Sequence, residues 1–177
     1  MGELYLEACH TESDIVDHLP TFVELAEQLD ARTVIELGVR DGESTKAWLY
    51  AMECSGGHLW SVDLSPAPTF PTHCWTFIQG DDLDPAVIAQ LPVEADIVFI
   101  DTLHSYAHTC RELETYVKHV RRGGRIVMHD TELDGALVNE PDTQPVKKAV
   151  TEFCDAHGWK WANRTNCWGL GIIEVPE

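Results

Sequence analysis

The chain has no long apolar run, few basic residues and no closely paired cysteines. A membrane protein is not expected, because a spanning helix needs about 20 consecutive apolar residues. The start MGELYLEACH has no basic segment followed by an apolar block, so no signal peptide is expected. The six cysteines form no CxxC pair, which disfavours a zinc knuckle or a thioredoxin-like site. We therefore expect reduced thiols in a cytoplasmic protein.

The charge of the chain is strongly negative. It has 12 Lys and Arg against 30 Asp and Glu, so the formal net charge is −18. Phosphate backbones are repelled by such a surface, and nucleic acid is not an expected partner. A length of 177 residues suits one domain, and we expect residues 1–177 to form a single unit.

Short apolar runs alternate with amphipathic segments along the chain. Helical spacing of apolar residues predicts a helix over 13–30, with Pro20 in its first turn. Further helices are predicted over 43–54, 84–91, 106–120 and 144–158. Strands are predicted over 32–38, 58–64, 74–80, 96–101 and 125–130, and an antiparallel pair over 159–164 and 168–175. This alternation predicts an α/β fold whose mostly parallel sheet has helices on both faces.

Polar residues follow the predicted strands at their carboxyl ends, where open parallel sheets bind ligands. Acidic side chains near a buried position are costly unless they have partners. We therefore expect function at the strand ends, namely at Glu36, Gly38, Asp63, Gly80, Asp81, Asp101, His129 and Asp130.

The stretch 34-VIELGVRDGEST-45 joins the first predicted strand to a helix. Gly38 and Gly42 allow a sharp turn and a close approach of the backbone to a ligand, and the helix N-terminus offers free N–H groups. The spacing E-x-G-x-x-x-G departs from the G-x-G-x-x-G of dinucleotide sites, which disfavours a nicotinamide cofactor. A carboxylate at Glu36 suits a ligand with a positive or hydroxylated end. Asp63 has the usual position of an acid that binds both ribose hydroxyls.

The chain resembles the class I S-adenosylmethionine-dependent methyltransferases, through 36-ELGVRDG-42, Asp63 and 80-GDD-82. The resemblance covers nearly the whole chain. It is sharper for the Methyltransferase 24 group and small metal-dependent O-methyltransferases, through 15-IVDHLPTF-22, 100-IDTLHSY-106 and 124-GRIVMHDT-131. It implies a single-domain Rossmann-like fold with a seven-stranded sheet in the order 3-2-1-4-5-7-6 and an antiparallel C-terminal strand. It also implies that the helix over 13–30 covers the cofactor site.

The resemblance implies S-adenosylmethionine as cofactor and gives roles to matching positions. Glu36 would face the methionine end, and Asp63 would hold the ribose. Asp101, His104 and Asp130 would be catalytic. The cofactor-binding residues would be Glu36, Gly38, Val39, Arg40, Gly42, Ser44, Thr45, Asp63, Leu64, Gly80, Asp81, Asp82 and Asp101. Valine in place of Gly38 is expected to abolish cofactor binding while leaving the fold largely intact.

A metal site is one of two alternatives for the catalytic residues. Asp101 and Asp130 would be magnesium ligands or proton acceptors, and we favour metal assistance because two nearby acids repel each other without a cation. Metal-dependent relatives commonly have a second acid or amide after the fifth strand, where this chain has Thr131. The alternative uses His104 as the base. We interpret His129 as a neutral, hydrogen-bonded core histidine.

The reaction predicted from this resemblance is methyl transfer to a hydroxyl of a small molecule, such as a sugar, a phenol or a natural product. A nicotinamide-dependent oxidoreductase and a non-catalytic S-adenosylmethionine-binding protein are the alternatives. An interaction module without a cofactor would need no acids at the strand ends. We expect no membrane partner. A homodimer is also an expectation, since a small open site is often completed by a neighbouring subunit.

Overall fold

The computed structural model describes residues 1–177 as a seven-stranded sheet with helices on both faces. The strands are β1 (Thr33–Leu37), β2 (His58–Asp63), β3 (Trp75–Gln79), β4 (Ala95–Ile100), β5 (Val120–His129), β6 (Trp161–Arg164) and β7 (Leu170–Glu174). The helices are α1 (Gly2–Ala8), α2 (Leu19–Gln28), α3 (Glu43–Ser55), α4 (Pro85–Ile88), α5 (Tyr106–Tyr116) and α6 (Pro145–His157). Short 3-10 turns lie at Val16–His18 and Gly135–Val138. None of the helices has the length and apolar content needed to cross a membrane.

The strand order is β3-β2-β1-β4-β5-β7-β6, which confirms the predicted order. The first five strands run parallel to one another, and β7 runs antiparallel to both of its neighbours. The chain passes from one side of β1 to the other between β3 and β4, so the sheet order reverses there. The carboxyl ends of β1, β2, β3, β4 and β5 meet at one edge, which brings the predicted strand-end residues together.

Two apolar clusters hold the helices against the sheet. On one face, the ring of Phe22 in α2 stacks on Trp48 in α3 at 4.6 Å and lies 4.9 Å from Phe99 of β4. The other face buries Leu113 of α5 and Val150 of α6 completely. Each such side chain stabilises the fold by about 1.5–3 kcal/mol. The strand ends therefore project from a well-packed layer.

The N-terminal segment differs from the single helix predicted over 13–30. Residues 16–18 form a 3-10 turn, and α2 begins only at Leu19, with Pro20 in its first turn as predicted. Because Phe22 and Leu25 face the core, α2 is a packing helix. Residues 11–15, which precede it, line a cavity at the strand ends. Of the segment 13–30 that was expected to cover the cofactor site, only residues 13–15 line this cavity, so the expectation is corrected for the part that forms α2. The helix α1 was not predicted, and Tyr5 anchors it by stacking on Tyr50 at 4.7 Å.

The fifth strand begins earlier than predicted. The predicted helix 106–120 ends at Tyr116, and β5 starts at Val120 instead of 125. The backbone of Gly124 accepts a hydrogen bond from the amide of Val175, and Val120 pairs with Ala95. Tertiary pairing with β4 and the chain after β7 therefore outweighs the strand-breaking preference of the two glycines at 123–124.

Candidate active site

Two cavities open at the carboxyl ends of the parallel strands, and both are lined by Arg40 and Asp101. The large cavity has a volume of about 580 Å³, within the range of about 300–1,000 Å³ usual for ligand sites. Residues 11–15 line the small cavity, of about 210 Å³, together with Val39 and Ser44. The other predicted residues that line the large cavity are Gly38, Asp63, Leu64, Gly80, Asp81 and Asp82.

Glu36 lies behind the cavities and lines neither of them. It is completely buried, and its carboxylate accepts hydrogen bonds from the hydroxyls of Ser44, Thr45 and Ser61 at 2.7–2.9 Å. Burial raises the pKa of Glu36 to about 7, although the three hydrogen bonds oppose the shift. The expectation that Glu36 faces the methionine end is therefore corrected. This carboxyl joins β1 to β2 and to the first turn of α3, and Thr45 is buried beside it.

Gly38 and Gly42 both have a left-handed backbone, with φ of 87° and 83°. A Cβ atom on Gly38 would overlap the main-chain carbonyl oxygen of Asp101. A Cβ on Gly42 would meet the ring of Phe70 at 2.6 Å. Gly38 lines the large cavity, whereas Gly42 lines neither cavity and lies against Phe70, which corrects its assignment to the ligand site. The overlap at Gly38 also corrects the expectation that valine there leaves the fold largely intact.

Asp63 orients the loop that follows β1. Its Oδ2 accepts hydrogen bonds from the amides of Val39 and Arg40 at 2.8 and 2.9 Å, and its Oδ1 accepts one from Ser65 at 2.7 Å. Burial alone would raise the pKa of Asp63, but these amides hold it below its usual value. A carboxylate has about four lone-pair sites, so acceptor capacity remains on the cavity side.

The side chain of Arg40 connects this loop to the N-terminal segment. Its Nη1 lies 2.8 Å from a carboxylate oxygen of Asp14. The arginine side chain is 75% exposed, so solvent screens the pair, which contributes at most about 1 kcal/mol. Residues 13–15 belong to the segment that the resemblance placed over the cofactor site, whereas no sequence motif marked residues 11 and 12 as cavity-lining.

Asp101, His104, His129 and Asp130 form one cluster at the ends of β4 and β5. Nε2 of His104 lies 3.4 Å from Asp101 and 3.1 Å from Asp130. Nδ1 of His129 lies 3.5 Å from Asp101 and 3.1 Å from Asp130, and its Nε2 is 3.0 Å from the carbonyl oxygen of Cys167. The structure therefore brings together the three predicted catalytic residues and adds His129 to them.

The surroundings of His129 favour its imidazolium form. Both of its ring nitrogens lie within hydrogen-bond distance of oxygen atoms, which favours a proton on each nitrogen. Burial alone would lower the pKa of His129, but Asp101 and Asp130 raise it to about 10. In turn, although burial alone would raise the pKa of Asp101, the two histidines hold it well below its usual range. The interpretation of His129 as a neutral core histidine is therefore wrong.

The cluster does not fit the magnesium ion considered from the sequence. Mg²⁺ prefers about six oxygen ligands in octahedral geometry. Asp130 lies 3.1 Å from the imidazoles of His104 and His129, Asp101 lies 3.4–3.5 Å from the same two rings, and His129 supplies positive charge beside both carboxylates. The hydroxyl of Thr131, the next oxygen along the chain, donates to Asn163 at 2.7 Å. The residues present therefore favour the route without a metal.

A second cluster contains two residues that the sequence interpretation missed. His108 and Glu112 lie one turn apart on α5 and meet Asp82 in the loop after β3. The only signal in the sequence is the spacing H-x-x-x-E within a predicted helix, which places both side chains on one face. Their proximity to Asp82 depends on the loop between β3 and α4 lying beside α5.

The chain matches a family model described as a methyltransferase domain over residues 35–131, more than half of its length. The chain belongs to this family of methyltransferases. A comparison with curated proteins finds no match.

Solved structures of other methyltransferases share the fold of this methyltransferase. The O-methyltransferase TomG from Streptomyces achromogenes, in complex with SAM, is 18% identical, with a TM-score of 0.71 over 99% of this chain and 90% of that one. An O-methyltransferase from Bacillus cereus, in complex with SAH, is 16% identical, with a TM-score of 0.69 over 98% of this chain and 89% of that one. MycE from the mycinamycin biosynthetic pathway, in complex with Mg and SAH, is 20% identical, with a TM-score of 0.71 over 92% of this chain and 50% of that one. With its strand order, this methyltransferase has the class I methyltransferase fold.

Proposed function

We propose that this methyltransferase transfers a methyl group from S-adenosylmethionine to a hydroxyl group of a small molecule. The position of Asp101 is the observation that carries the proposal. This residue lines both cavities and lies 3.4 Å from the imidazole of His104. A methyl donor bound in the two cavities would therefore lie beside a proton acceptor. The family match favours methyl transfer over the nicotinamide-dependent alternative.

The charges of the large cavity suit this donor. S-adenosylmethionine supplies a methyl group from a positively charged sulfonium centre. Asp63, Asp81, Asp82 and Asp101 line the large cavity, and such an acidic lining favours a cationic ligand. Asp63 has the position and the free acceptor sites to bind ribose hydroxyls. The start of α3 lines the small cavity, where its free N–H groups would bind the carboxylate of the methionine end.

His104 is the base in this proposal. Its side chain is 28% exposed, so an acceptor hydroxyl can reach it, and Asp101 and Asp130 hold the ring in place. Burial alone would lower the pKa of His104, but the two carboxylates raise it above its usual value. The transfer is an in-line displacement, so the chain mainly has to align donor and acceptor while His104 takes the proton.

We propose that the methyl acceptor is a small hydroxylated molecule of the natural-product type. The net charge of −18 repels nucleic acid, which leaves small molecules as the better class. Two structural neighbours come from such contexts: TomG is involved in Tomaymycin synthesis, and MycE belongs to the mycinamycin pathway. Leu103, which is 57% exposed beside His104, offers an apolar contact for an acceptor of this kind.

The test combines binding and turnover. Calorimetry should detect S-adenosylhomocysteine binding in the micromolar range, about −8 kcal/mol. A panel of sugars, phenols and hydroxylated natural products should then reveal methyl transfer to at least one class. His104→Gln should reduce that rate by about 100-fold or more while binding stays unchanged. His157→Gln, at an exposed histidine of α6, is the matched control. Absence of S-adenosylhomocysteine binding would refute the proposal.

A further inference from the structure

Asp82, His108 and Glu112 form a cluster in the floor of the large cavity, separate from the cluster around Asp101. Nε2 of His108 lies 3.5 Å from Oδ1 of Asp82 and 3.5 Å from Oε1 of Glu112. The three donor atoms all lie within 4.8 Å of one another. Asp82 and His108 line the large cavity, whereas Glu112 is almost fully buried behind them. Two carboxylates and one imidazole thus converge on one point.

Two polar atoms of this cluster are buried without a partner. Asp82 is 92% buried, since only 8% of it is exposed, and its Oδ2 accepts no hydrogen bond. Nε2 of His108 also makes no hydrogen bond. An unsatisfied buried polar group costs about 1–3 kcal/mol, and more when it is charged. Hydrogen bonds within the protein therefore leave two atoms of this cluster without partners. In the cluster around Asp101, by contrast, both ring nitrogens of His129 have oxygen partners.

The distances fit metal ligands better than hydrogen-bond partners. Hydrogen bonds between nitrogen and oxygen span about 2.7–3.2 Å. The two separations of 3.5 Å in this cluster are longer. In a tetrahedral site with metal–ligand bonds of about 2.0–2.2 Å, neighbouring ligand atoms lie about 3.3–3.6 Å apart. The two separations from Nε2 of His108, to Asp82 and to Glu112, fall in this range, and all three donor atoms lie within 4.8 Å of one another.

We propose that Asp82, His108 and Glu112 bind a divalent transition-metal ion, with zinc as the preferred ion and manganese as its competitor. One imidazole and two carboxylates match the ligands of these ions, whereas magnesium prefers oxygen alone. Three protein ligands leave a fourth position open. That position faces the large cavity, because Asp82 and His108 line it. The ion joins the end of β3 to α5 and places a water molecule or a ligand atom in the cavity floor.

Neighbouring hydroxyl groups hold the proposed ligands in place. Thr102 donates a hydrogen bond from its hydroxyl to Oε1 of Glu112. The hydroxyl of Tyr116, one turn further along α5, donates to the main-chain carbonyl oxygen of Asp82 at 2.6 Å. Such outer contacts orient metal ligands, and their loss typically lowers metal affinity by about 10–100-fold. Hydrogen bonds from neighbouring residues therefore hold Glu112 and Asp82, in addition to the contacts among the three proposed ligands.

The test measures metal binding directly, without any substrate. The full chain is stripped of metal with a chelator, dialysed and titrated with zinc chloride in a calorimeter. We expect one equivalent of zinc per chain and a higher melting temperature with zinc. Glu112→Gln and Asp82→Asn, which keep the shape of each side chain, should each weaken zinc binding by more than about 100-fold, and Thr102→Val by about 10–100-fold.

Asp101→Asn is the matched control, because it alters the other cluster at the same sheet edge. It should retain the zinc affinity of the parent chain. Zinc binding that is absent, that is lost in Asp101→Asn, or that persists in both Glu112→Gln and Asp82→Asn would overturn the proposal. Circular dichroism checks the folding of each variant, and an unfolded variant is replaced by His108→Gln. S-adenosylhomocysteine binding to the metal-free chain is measured separately, so failure of the metal site and failure of the methyltransferase function are distinguishable.

Discussion

The main-chain carbonyl oxygen of Asp101 occupies the space in which Gly38 would need a Cβ atom. This contact joins the loop after β1 to the end of β4, so the loop and the cluster around Asp101 are positioned by the same atoms. Asp101 N also donates to the carbonyl oxygen of Leu37 at 2.8 Å. The glycine is therefore needed for the fold before any ligand binds.

Gly38→Ala is expected to lower the free energy of unfolding by about 3 kcal/mol or more, from the left-handed backbone and the overlap with Asp101 together. Gly158→Ala is the matched control. Gly158 also has a positive φ, of 68°, but nothing lies within 4 Å of its added Cβ. The Gly158→Ala variant should lose only about 1–2 kcal/mol of its free energy of unfolding. Urea unfolding of both variants decides the point, and equal losses would contradict the role of the Asp101 contact.

Glu36→Gln should change the pH dependence of stability. The carboxyl of Glu36 titrates near 4.5 when unfolded and near 7 when folded. Between these pH values the folded chain binds more protons than the unfolded chain, so this residue's contribution to stability is full below about pH 4.5 and falls as the pH rises to 7. The stability advantage of the parent over Glu36→Gln should therefore shrink by about 3 kcal/mol across this range.

Urea unfolding at several pH values measures this effect. Glu7→Gln, at an exposed position of α1, is the control and should follow the parent at every pH. A Glu36→Gln variant with the same pH dependence as the parent would show that the buried carboxyl does not titrate in this range.

Asp63→Asn should weaken S-adenosylhomocysteine binding by about 1.5–3 kcal/mol, or roughly 10- to 150-fold. The amide replaces one acceptor oxygen by a donor, which cannot serve both the loop amides and a ribose. Asp134→Asn is the control, because Asp134 also accepts a main-chain N–H, from Ala136 at 2.9 Å, but does not line either cavity. Calorimetry compares the two, and parent-like affinity in Asp63→Asn would place the ribose elsewhere.

The rate of methyl transfer should rise with pH, because the proposed base must be neutral. Asp101 and Asp130 raise the pKa of His104 above its usual 6.5. The midpoint of the acidic limb of kcat should therefore lie above pH 6.5. Asp101→Asn removes one of these carboxylates and should shift the midpoint to lower pH. A rate that is independent of pH around neutrality would argue against His104 as the base.

The predictable part of the site lies at the strand ends. Asp63, Gly80, Asp81 and Asp82 were predicted there, and all line the large cavity, because the carboxyl ends of parallel strands must share one edge. Glu36 was assigned to the same edge for the same reason. It is buried instead, because the hydroxyl of Ser61 on β2 and the hydroxyls on α3 accommodate its carboxylate. Those partners are 8, 9 and 25 residues away along the chain.

The sequence alone determined the alternation of strands and helices and the family resemblance, since both depend on local apolar patterns and short motifs. Only the tertiary structure decided the protonation of His129, which requires Asp130 on one side of the ring and the carbonyl of Cys167 on the other. The same is true of His108 and Glu112 on α5, which meet Asp82 of the loop after β3. Charge states and ligand sets depend on distances between atoms of separate elements. Those distances are set only when the sheet and the helices pack together, and the order of residues alone does not give them.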